Sequence, residues 1–229
     1  TISALREAFD GLAGDETIRA VVLEGEGKAF SGGADVNWMR ASLDLSFDEN
    51  VVDAAAMSDM FRAIDRSPKP VVARVQGAAL GGGCGLVAVS DVVVAAEDAV
   101  FGFTETKLGV IPAVISPFAI AKIGVSHARA LFLTGERFDA RRALQIGLVH
   151  RVAGANLLDA EVDAVLAELL SAGPDAVAAA KHLVAEVASA EYDATREMTA
   201  RAIAERRASP EGQEGLRAFL DRRPPSWKQ

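Results

Sequence analysis

A run of small residues between two apolar segments constrains the fold of this chain more than any other feature. Residues 69–91 read KPVVARVQGAALGGGCGLVAVSD, in which β-branched residues lead into the small-residue segment 77–85. The apolar run 86–89 follows it. Short β-branched runs indicate buried strands, and glycine clusters indicate turns. The pattern therefore predicts a buried strand, a glycine-rich turn and the start of a buried helix.

Three successive glycines in this turn, Gly81, Gly82 and Gly83, allow two interpretations. Because they lack a Cβ atom, a ligand can approach their backbone N–H groups closely. A helix that begins here would also present free N–H groups and the positive end of its dipole to an anion. The same residues suit a tight packing turn, and glycine enrichment alone does not decide between the two.

Length, composition and charge exclude several classes of protein. The 229 residues, 50% of them hydrophobic and 6% aromatic, are typical of a helix-rich α/β protein. With 24 basic and 32 acidic residues the net charge is −8, so binding of nucleic acid by bulk attraction is not expected. Cys84 is the only cysteine, which excludes an internal disulfide and predicts a reducing, cytoplasmic compartment. No apolar run reaches about 18 residues, so we expect no membrane span.

A second strand-to-glycine turn lies nearer the N-terminus. Residues 18–23 (IRAVVL) predict a strand, and GEGKAFSGGADVNWM follows. The Gly-x-Gly-Lys in it lacks the glycine spacing of a phosphate-binding P-loop, which is therefore excluded. Residues 30–35 predict another turn of small residues, and Asp35 is expected to cap the helix after it.

The remaining pattern predicts alternating helices and strands up to residue 155. Helices are predicted over 2–12, 51–66, 114–123, 127–134 and 138–146. Strands are predicted over 92–96 and 148–152, and a short strand or turn over 99–103. Residues 44–50 are predicted to form a polar, mobile loop, and Glu105 is also placed in a loop.

The pattern becomes almost entirely helical after residue 155. We therefore divide the chain into a core, residues 1–155, and a C-terminal helical domain, residues 156–229, that covers the core, contacts neighbouring subunits, or both. Asn156 is predicted to cap its first helix, and Lys181 to be a solvated surface residue. Another helix boundary is predicted between Gly173 and Pro174. A long helix over 189–208 and a last helix after Ser209 complete the prediction.

Several motifs, in order, carry a resemblance that covers nearly the whole chain. They are KAFSGGADVNWM, VQGAALGGGCGLVAVSD, FGFTETKLGVIPAV, TGERFDARRALQIGLVHRV and EGLRAFLDRR. The chain resembles the enoyl-CoA hydratase (crotonase) superfamily. Within it, NWM, GGCGLVA and ETKLGVIPAVISPF are most similar to bacterial methylglutaconyl-CoA and isohexenylglutaconyl-CoA hydratases.

The resemblance implies an α/β fold: a crotonase-like spiral of ββα units with a C-terminal helical trimerisation region. It implies a homotrimer or a hexamer built as a dimer of trimers. It also implies that the opening strand–turn segment usual in the family is absent from this N-terminus. The implied substrate is an acyl-CoA, with no metal and no separate cofactor, because coenzyme A is part of the substrate.

The resemblance also gives the two glycine turns a joint role. It implies that the backbone N–H groups of Ala34 and Gly82 hold the thioester carbonyl. Negative charge must move onto that oxygen as an enolate, and one such donor is typically worth about 3 kcal/mol. The implied substrate contacts are Ala34, Asp35, Val36, Gly81, Gly82, Gly85 and Thr104.

The acid–base residues depart from the usual hydratase pattern. Family hydratases carry two glutamates; Gly85 stands at the first position and Glu105 at the second. We predict that Glu105 alone takes a proton from water and delivers it to the α carbon. Gly85 would leave extra room, for instance for a branched or carboxylated acyl chain such as methylglutaconyl. Asp91 and Glu136 are weaker candidates for the missing carboxylate.

Two other functions remain open from the sequence. An enoyl-CoA isomerase needs one carboxylate, which moves a proton between the α and γ carbons, and Glu105 could do this. A non-catalytic acyl-CoA or RNA-binding relative is the third possibility, which the net charge and the intact glycine turns disfavour. The histidines 127, 150 and 182 lack metal-ligand spacing, and Cys84 is predicted to be a packed thiol.

Overall fold

The computed structural model describes residues 1–33 and 35–228, which form an α/β structure. Its strands are β1 (Val21–Glu24), β2 (Val71–Val75), β3 (Ala78–Leu80), β4 (Val92–Ala96), β5 (Val100–Gly102), β6 (Arg137–Asp139) and β7 (Arg151–Ala153). Its α-helices are α1 (Ile2–Leu12), α2 (Val36–Ser42), α3 (Phe47–Asp65), α4 (Gly82–Val89), α5 (Ser116–Thr134), α6 (Ala140–Gln145), α7 (Leu158–Ser171), α8 (Pro174–Ser189), α9 (Tyr192–Ala208) and α10 (Pro210–Leu220). Short 3₁₀ helices cover Glu105–Leu108, Ala155–Leu157 and Ser226–Lys228.

The strands form two sheets that the chain visits in turn. The larger sheet has the order β1-β2-β4-β7 and is wholly parallel, and the smaller has the order β3-β5-β6. The chain runs through β2, β3 and α4, then through β4, β5 and α5, so each unit gives one strand to each sheet before its helix. This repetition is the spiral of ββα units that the family resemblance implied.

The core lies where the larger sheet meets its covering helices. β2 and β4 are β-branched and alanine-rich and are almost wholly buried, as parallel strands covered on both faces are. Phe61 and Ile64 of α3 are fully buried in the same cluster. Leu158 and Val162 of α7 belong to it too, so α7 packs on the core although it follows residue 155. The domain division at residues 155 and 156 stays a prediction.

The predicted loop over 44–50 is wrong in its second half, because α3 begins at Phe47. Ser46 and Glu49 form a capping box: the Ser46 N–H donates to the Glu49 carboxylate (2.8 Å), and the Glu49 N–H donates to the Ser46 hydroxyl (3.3 Å). The reciprocal cap satisfies two N–H groups that a helix start would leave unpaired. The four-residue signal S-x-x-E was present in the sequence.

Short strands account for most other differences from the predicted elements. β3 lies inside the predicted glycine turn, and Phe138 of the predicted helix 138–146 belongs to β6. There Phe138 pairs with Phe101, with ring centroids 5.9 Å apart. Asp139 then caps α6 by accepting the Arg142 N–H (2.7 Å). The predicted break at Gly124 is a non-helical residue within α5.

The boundaries in the C-terminal part follow the predicted signals except at Asn156 and Ser189. Ser189 is the last residue of α8, and α9 begins at Tyr192. Asn156 makes no capping bond, because the chain enters α7 through a 3₁₀ turn. α8 begins at Pro174 directly after Gly173, and Ser209 caps α10. No helix among residues 1–33 and 35–228 is long and apolar enough to cross a membrane.

Lys181 is not the solvated residue that the sequence predicted. Its Nζ lies 2.7 Å from Oδ2 of Asp91, and the two side chains are only 15% and 28% exposed. The same carboxylate oxygen accepts the Val71 N–H (2.7 Å). One ion pair therefore ties α8 to the end of α4 and the start of β2.

We expect Lys181→Met to lower the free energy of unfolding by about 2 kcal/mol, because it removes a charged hydrogen bond from a partly buried carboxylate. Urea denaturation measures the change. Arg201→Met is the matched control, since its pair with Glu197 is 73% and 76% exposed and such a pair contributes at most about 0.5 kcal/mol. Equal effects of the two variants would contradict the structural role of Lys181.

Candidate active site

The structure brings together the two glycine turns that the sequence keeps far apart. Ser31 donates its N–H to the carbonyl of Ala78 (2.8 Å) and accepts the N–H of Leu80 on its own carbonyl (3.0 Å). Ser31 also forms a parallel bridge with Ala79. The backbone at Ser31 thus pairs with β3 as a neighbouring strand would, immediately before the glycine triplet.

Backbone geometry explains the glycine of the first turn. Gly33 has φ +104°, and a Cβ atom there would lie 3.3 Å from the carbonyl oxygen of Leu80. A positive φ and a close backbone approach both favour glycine. Ala34, the predicted oxyanion donor, lies outside the described residues.

Asp35 caps α2 as predicted. Its Oδ1 accepts the N–H groups of Asn37 (2.7 Å) and Trp38 (3.1 Å). Val36, a predicted substrate contact, is the first residue of α2 and is 67% exposed. The Trp38 indole donates to Asp53 of α3 (3.2 Å), which holds α2 against its neighbour.

The second glycine turn leads directly into α4. Gly81, with φ +51°, is the N-terminal boundary residue of α4 and offers no side-chain cap. Gly82 is the first helical residue, where N–H groups have no partner within the helix. An added Cβ at Gly82 would meet no atom of another part of the described chain within 4 Å. No described residue therefore occupies the space where a side chain at position 82 would lie.

Glu105 lies against this turn. It begins a 3₁₀ helix three residues after the end of β5. β5 is joined to the turn because the Gly81 N–H donates to the Gly102 carbonyl (2.8 Å). A Cβ atom on Gly81 would lie 3.4 Å from Oε1 of Glu105. The predicted loop is thus a 3₁₀ turn, and Thr104 is its half-buried boundary residue.

The environment of the Glu105 carboxylate is unusual for an acidic side chain. Its Oε2 is buried and has no hydrogen-bond partner among the described residues. Burial raises the pKa of the carboxyl above its ordinary value. An unpaired buried polar atom typically costs about 1–3 kcal/mol, and such atoms in native structures call for an explanation. A carboxylate with a raised pKa beside a helix start can exchange protons near a developing negative charge.

The prediction that Gly85 leaves extra room is wrong. A Cβ atom at Gly85 would lie 2.4 Å from Cγ2 of Ile115 and 2.7 Å from Cζ of Phe61, both buried side chains. Phe61 belongs to α3, and Ile115 is the boundary residue of α5. Three helices therefore meet at Gly85, and a glutamate has no space there without repacking.

The weaker candidates for a second carboxylate lie in other surroundings. Asp91 follows the far end of α4 and is paired with Lys181, whereas Glu105 lies at the start of that helix. An eight-residue helix is about 12 Å long. Glu136 is exposed between α5 and β6, with its carbonyl oxygen beside Gly102.

Cys84 is a packed thiol, as predicted. It is fully buried, and its Sγ donates to the Ala79 carbonyl (3.0 Å) and accepts the Gly102 N–H (3.4 Å). Burial raises the pKa of the thiol to about 12, with the charge of Glu105 a smaller cause in the same direction. A thiol with this pKa is not a nucleophile at neutral pH.

His150 also has a structural role, because its Nδ1 accepts the Val93 N–H (2.9 Å) between neighbouring strands. His182 lies 3.4 Å from Glu186 on the same helix. Within the described residues, no three histidine, cysteine, aspartate or glutamate side chains are grouped so that they could hold a metal ion.

Comparison with known proteins identifies the family. The family description "Enoyl-CoA hydratase/isomerase" matches residues 1–229. A Thermus thermophilus protein, provisionally named an enoyl-CoA hydratase, is 36% identical over 222 residues, 97% of this chain and 88% of the relative. The Syntrophomonas wolfei crotonyl-CoA hydratase is 32% identical over 97% of this chain and 85% of its own.

Solved structures agree with the sequence match. The structure of Pseudomonas aeruginosa AtuE superposes with a TM-score of 0.96 at 38% identity, covering 100% of this chain and 89% of that one. The chain therefore belongs to the enoyl-CoA hydratase/isomerase family of enzymes, with the crotonase fold.

We expect Gly85→Ala to lower the free energy of unfolding by about 1–3 kcal/mol, because the new methyl group overpacks a filled site. Gly82→Ala is the matched control in the same helix. It should leave stability within about 1 kcal/mol, since its Cβ enters open space and alanine favours a helix. Thermal and urea denaturation measure both variants, and a stable Gly85→Ala protein would contradict the described packing.

Proposed function

We propose that this chain is an enoyl-CoA hydratase, which adds water to, or removes it from, an α,β-unsaturated acyl-CoA through an oxyanion-stabilised enolate. The observation that carries the proposal is the buried, unpaired carboxylate oxygen of Glu105 beside the start of α4. An enzyme of this family can use a buried, unpaired carboxylate to transfer a proton to the bound substrate, which a carboxylate on the surface does not reach. The relatives named as enoyl-CoA and crotonyl-CoA hydratases support the same reaction.

In the proposed mechanism, the thioester oxygen accepts the N–H groups of Gly82 and Ala34. Glu105 takes a proton from water as the water oxygen bonds to the β carbon. The electron pair of the double bond moves through the α carbon onto the thioester oxygen and forms the enolate. Glu105 then returns its proton to the α carbon, so that one molecule of water has been added. Each oxyanion donor is worth about 3 kcal/mol.

The raised pKa of Glu105 supports its role as both acceptor and donor of the proton. Burial moves the pKa of the carboxyl towards neutral pH, where a group can both accept and return a proton. The mechanism uses no metal and no cofactor, because coenzyme A enters as part of the substrate. The proposed binding residues around the thioester are Ala34, Asp35, Val36, Gly81, Gly82 and Thr104. Gly85, which the resemblance also implied, is enclosed by Phe61 and Ile115 and is left out of the proposed site.

A branched, methylglutaconyl-like acyl group is our proposed substrate. The support is the likeness of NWM and ETKLGVIPAVISPF to hydratases for such substrates. Phe61 and Ile115 fill the space beside Gly85, so the branch of the acyl group has to bind in another part of the site. The space beside Gly82 is the candidate.

We also propose a homotrimer or a hexamer. Leu216, Phe219 and Leu220 of α10 are 50%, 81% and 76% exposed. Large apolar side chains grouped on a surface favour an interface between subunits. A helical C-terminal region that presents them fits this assembly.

An enoyl-CoA isomerase is the second candidate function. The filled space at Gly85 favours it, because that packing leaves no place there for the second glutamate of a two-carboxylate hydratase. Moving a proton from the α to the γ carbon needs only one such group, and Glu105 would be that group.

Glu105→Gln should lower turnover by about 10²–10⁴-fold while acyl-CoA binding stays near wild type, because the amide keeps the shape but cannot carry the proton. Steady-state kinetics and calorimetric titration with acyl-CoA measure the two effects. In the wild type, kcat/KM should fall as pH drops through a Glu105 pKa above 4.5, its ordinary value, since protonation removes the base. Near-wild-type turnover of Glu105→Gln would remove this residue from the mechanism.

The two candidate reactions differ in ultraviolet absorbance. Crotonyl-CoA or 3-methylglutaconyl-CoA should lose the absorbance of its conjugated enone on hydration. A 3-enoyl-CoA should gain that absorbance if the enzyme is an isomerase. We expect the first change, with a hydroxyacyl-CoA identified by mass. A gain of absorbance from the 3-enoyl-CoA, without any hydrated product, would favour the isomerase.

A further inference from the structure

Ser31 belongs to the first of the two turns that carry the proposed oxyanion donors, and it packs against the second. Its backbone is held on both sides, by the Ala78 carbonyl (2.8 Å) and by the Leu80 N–H (3.0 Å). The residue cannot shift along β3 without breaking these bonds. The position of its Cβ atom is therefore fixed.

Ser31 presses against the first turn of α4. A Cβ atom added to Gly83 would lie 2.8 Å from Cβ of Ser31 and 3.0 Å from both its Oγ and its carbonyl oxygen. Real Cβ atoms are almost never that close to another carbon. Ser31 thus reaches as near to α4 as glycine at position 83 allows, one residue from the Gly82 donor.

Ser31 also makes a side-chain contact within the first turn. Its Oγ accepts the N–H of Gly33 (3.4 Å), the residue before Ala34. Gly33 in turn lies close to the Leu80 carbonyl. One small side chain therefore touches both Gly33, which precedes one proposed donor in the chain, and the helix start that carries the other.

We infer that Ser31 is a positioning residue that sets the separation of the Ala34 and Gly82 N–H groups. The inference rests on the proposed function and adds a residue to it. Two donors stabilise one oxygen only when both lie about 2.7–3.1 Å from it. A misplacement of about 1 Å can cost on the order of 10²-fold in rate. Ser31 acts through the donors and carries no proton itself.

Two substitutions of Ser31 should change the separation of the two turns in opposite directions. Ser31→Thr adds a methyl group at a contact that is already tight at Gly83 and pushes the turns apart. Ser31→Ala removes the acceptor of the Gly33 N–H and lets the first turn relax. Ser189→Ala is the matched control, because it removes a serine hydroxyl that donates to Glu186 within α8 (3.0 Å), away from both turns.

The measurements separate donor positioning from general stability. We expect both Ser31 variants to lose about 10–100-fold in kcat, with little change in KM. Acetoacetyl-CoA is the probe, because its bound enolate absorbs in the near ultraviolet and directly reports stabilisation of the oxyanion. The pKa of the bound probe should rise by about one to two units in both variants, a tenfold effect per unit. Ser189→Ala should leave kcat and the probe pKa unchanged.

Loss of kcat with an unchanged probe pKa would overturn the inference, because the residue would then be merely structural. Wild-type kcat in Ser31→Ala would overturn it as well. If Ser31→Thr does not fold, the smaller Ser31→Ala decides the question. The probe titration needs no turnover, so it tests Ser31 even if the wild type hydrates no enoyl-CoA, and that result would instead count against the proposed function.

Discussion

The backbone bonds between Ser31 and the short strand β3 are the interaction on which the site depends. They join a turn that follows β1 to a turn that precedes α4, although nearly fifty residues separate the two in the chain. Because the bonds are parallel-sheet bonds, they fix both the distance and the direction of the two turns. Gly83 then allows a contact too close for a residue with a Cβ atom, and Gly33 combines a positive φ with a tight approach to the Leu80 carbonyl.

One acidic side chain beside the two turns lacks part of its hydrogen bonding. Glu105 has a buried oxygen without a partner and a pKa raised by burial. Another partly buried carboxylate, Asp91, is by contrast paired with Lys181. Asp91, paired beyond the end of α4, contributes to stability, whereas Glu105, unpaired at the start of that helix, is the group proposed for proton transfer. Departures from local satisfaction concentrate at functional sites.

Local patterns predicted much of the fold, and their failures have physical causes. β2 and β4 are continuous apolar runs, α1 has the apolar period of a helix, and all three appear where expected. The Asp35 cap needs only the next few residues. β3 and β6 have three residues each, too few for a period, and exist because distant strands pair with them. The capping box at Ser46 was readable but lay in a segment that composition assigned to a loop.

The sequence by itself determined the family resemblance, the two glycine turns and Glu105 as the candidate acid–base residue, since these depend on residue identity in order along the chain. Only the tertiary structure decided that Gly85 is enclosed by Phe61 and Ile115, that Lys181 pairs with Asp91 and that Ser31 touches both turns. Each of these involves residues far apart in the chain. Their contact depends on how helices and sheets pack, and no local pattern of residues encodes that distance.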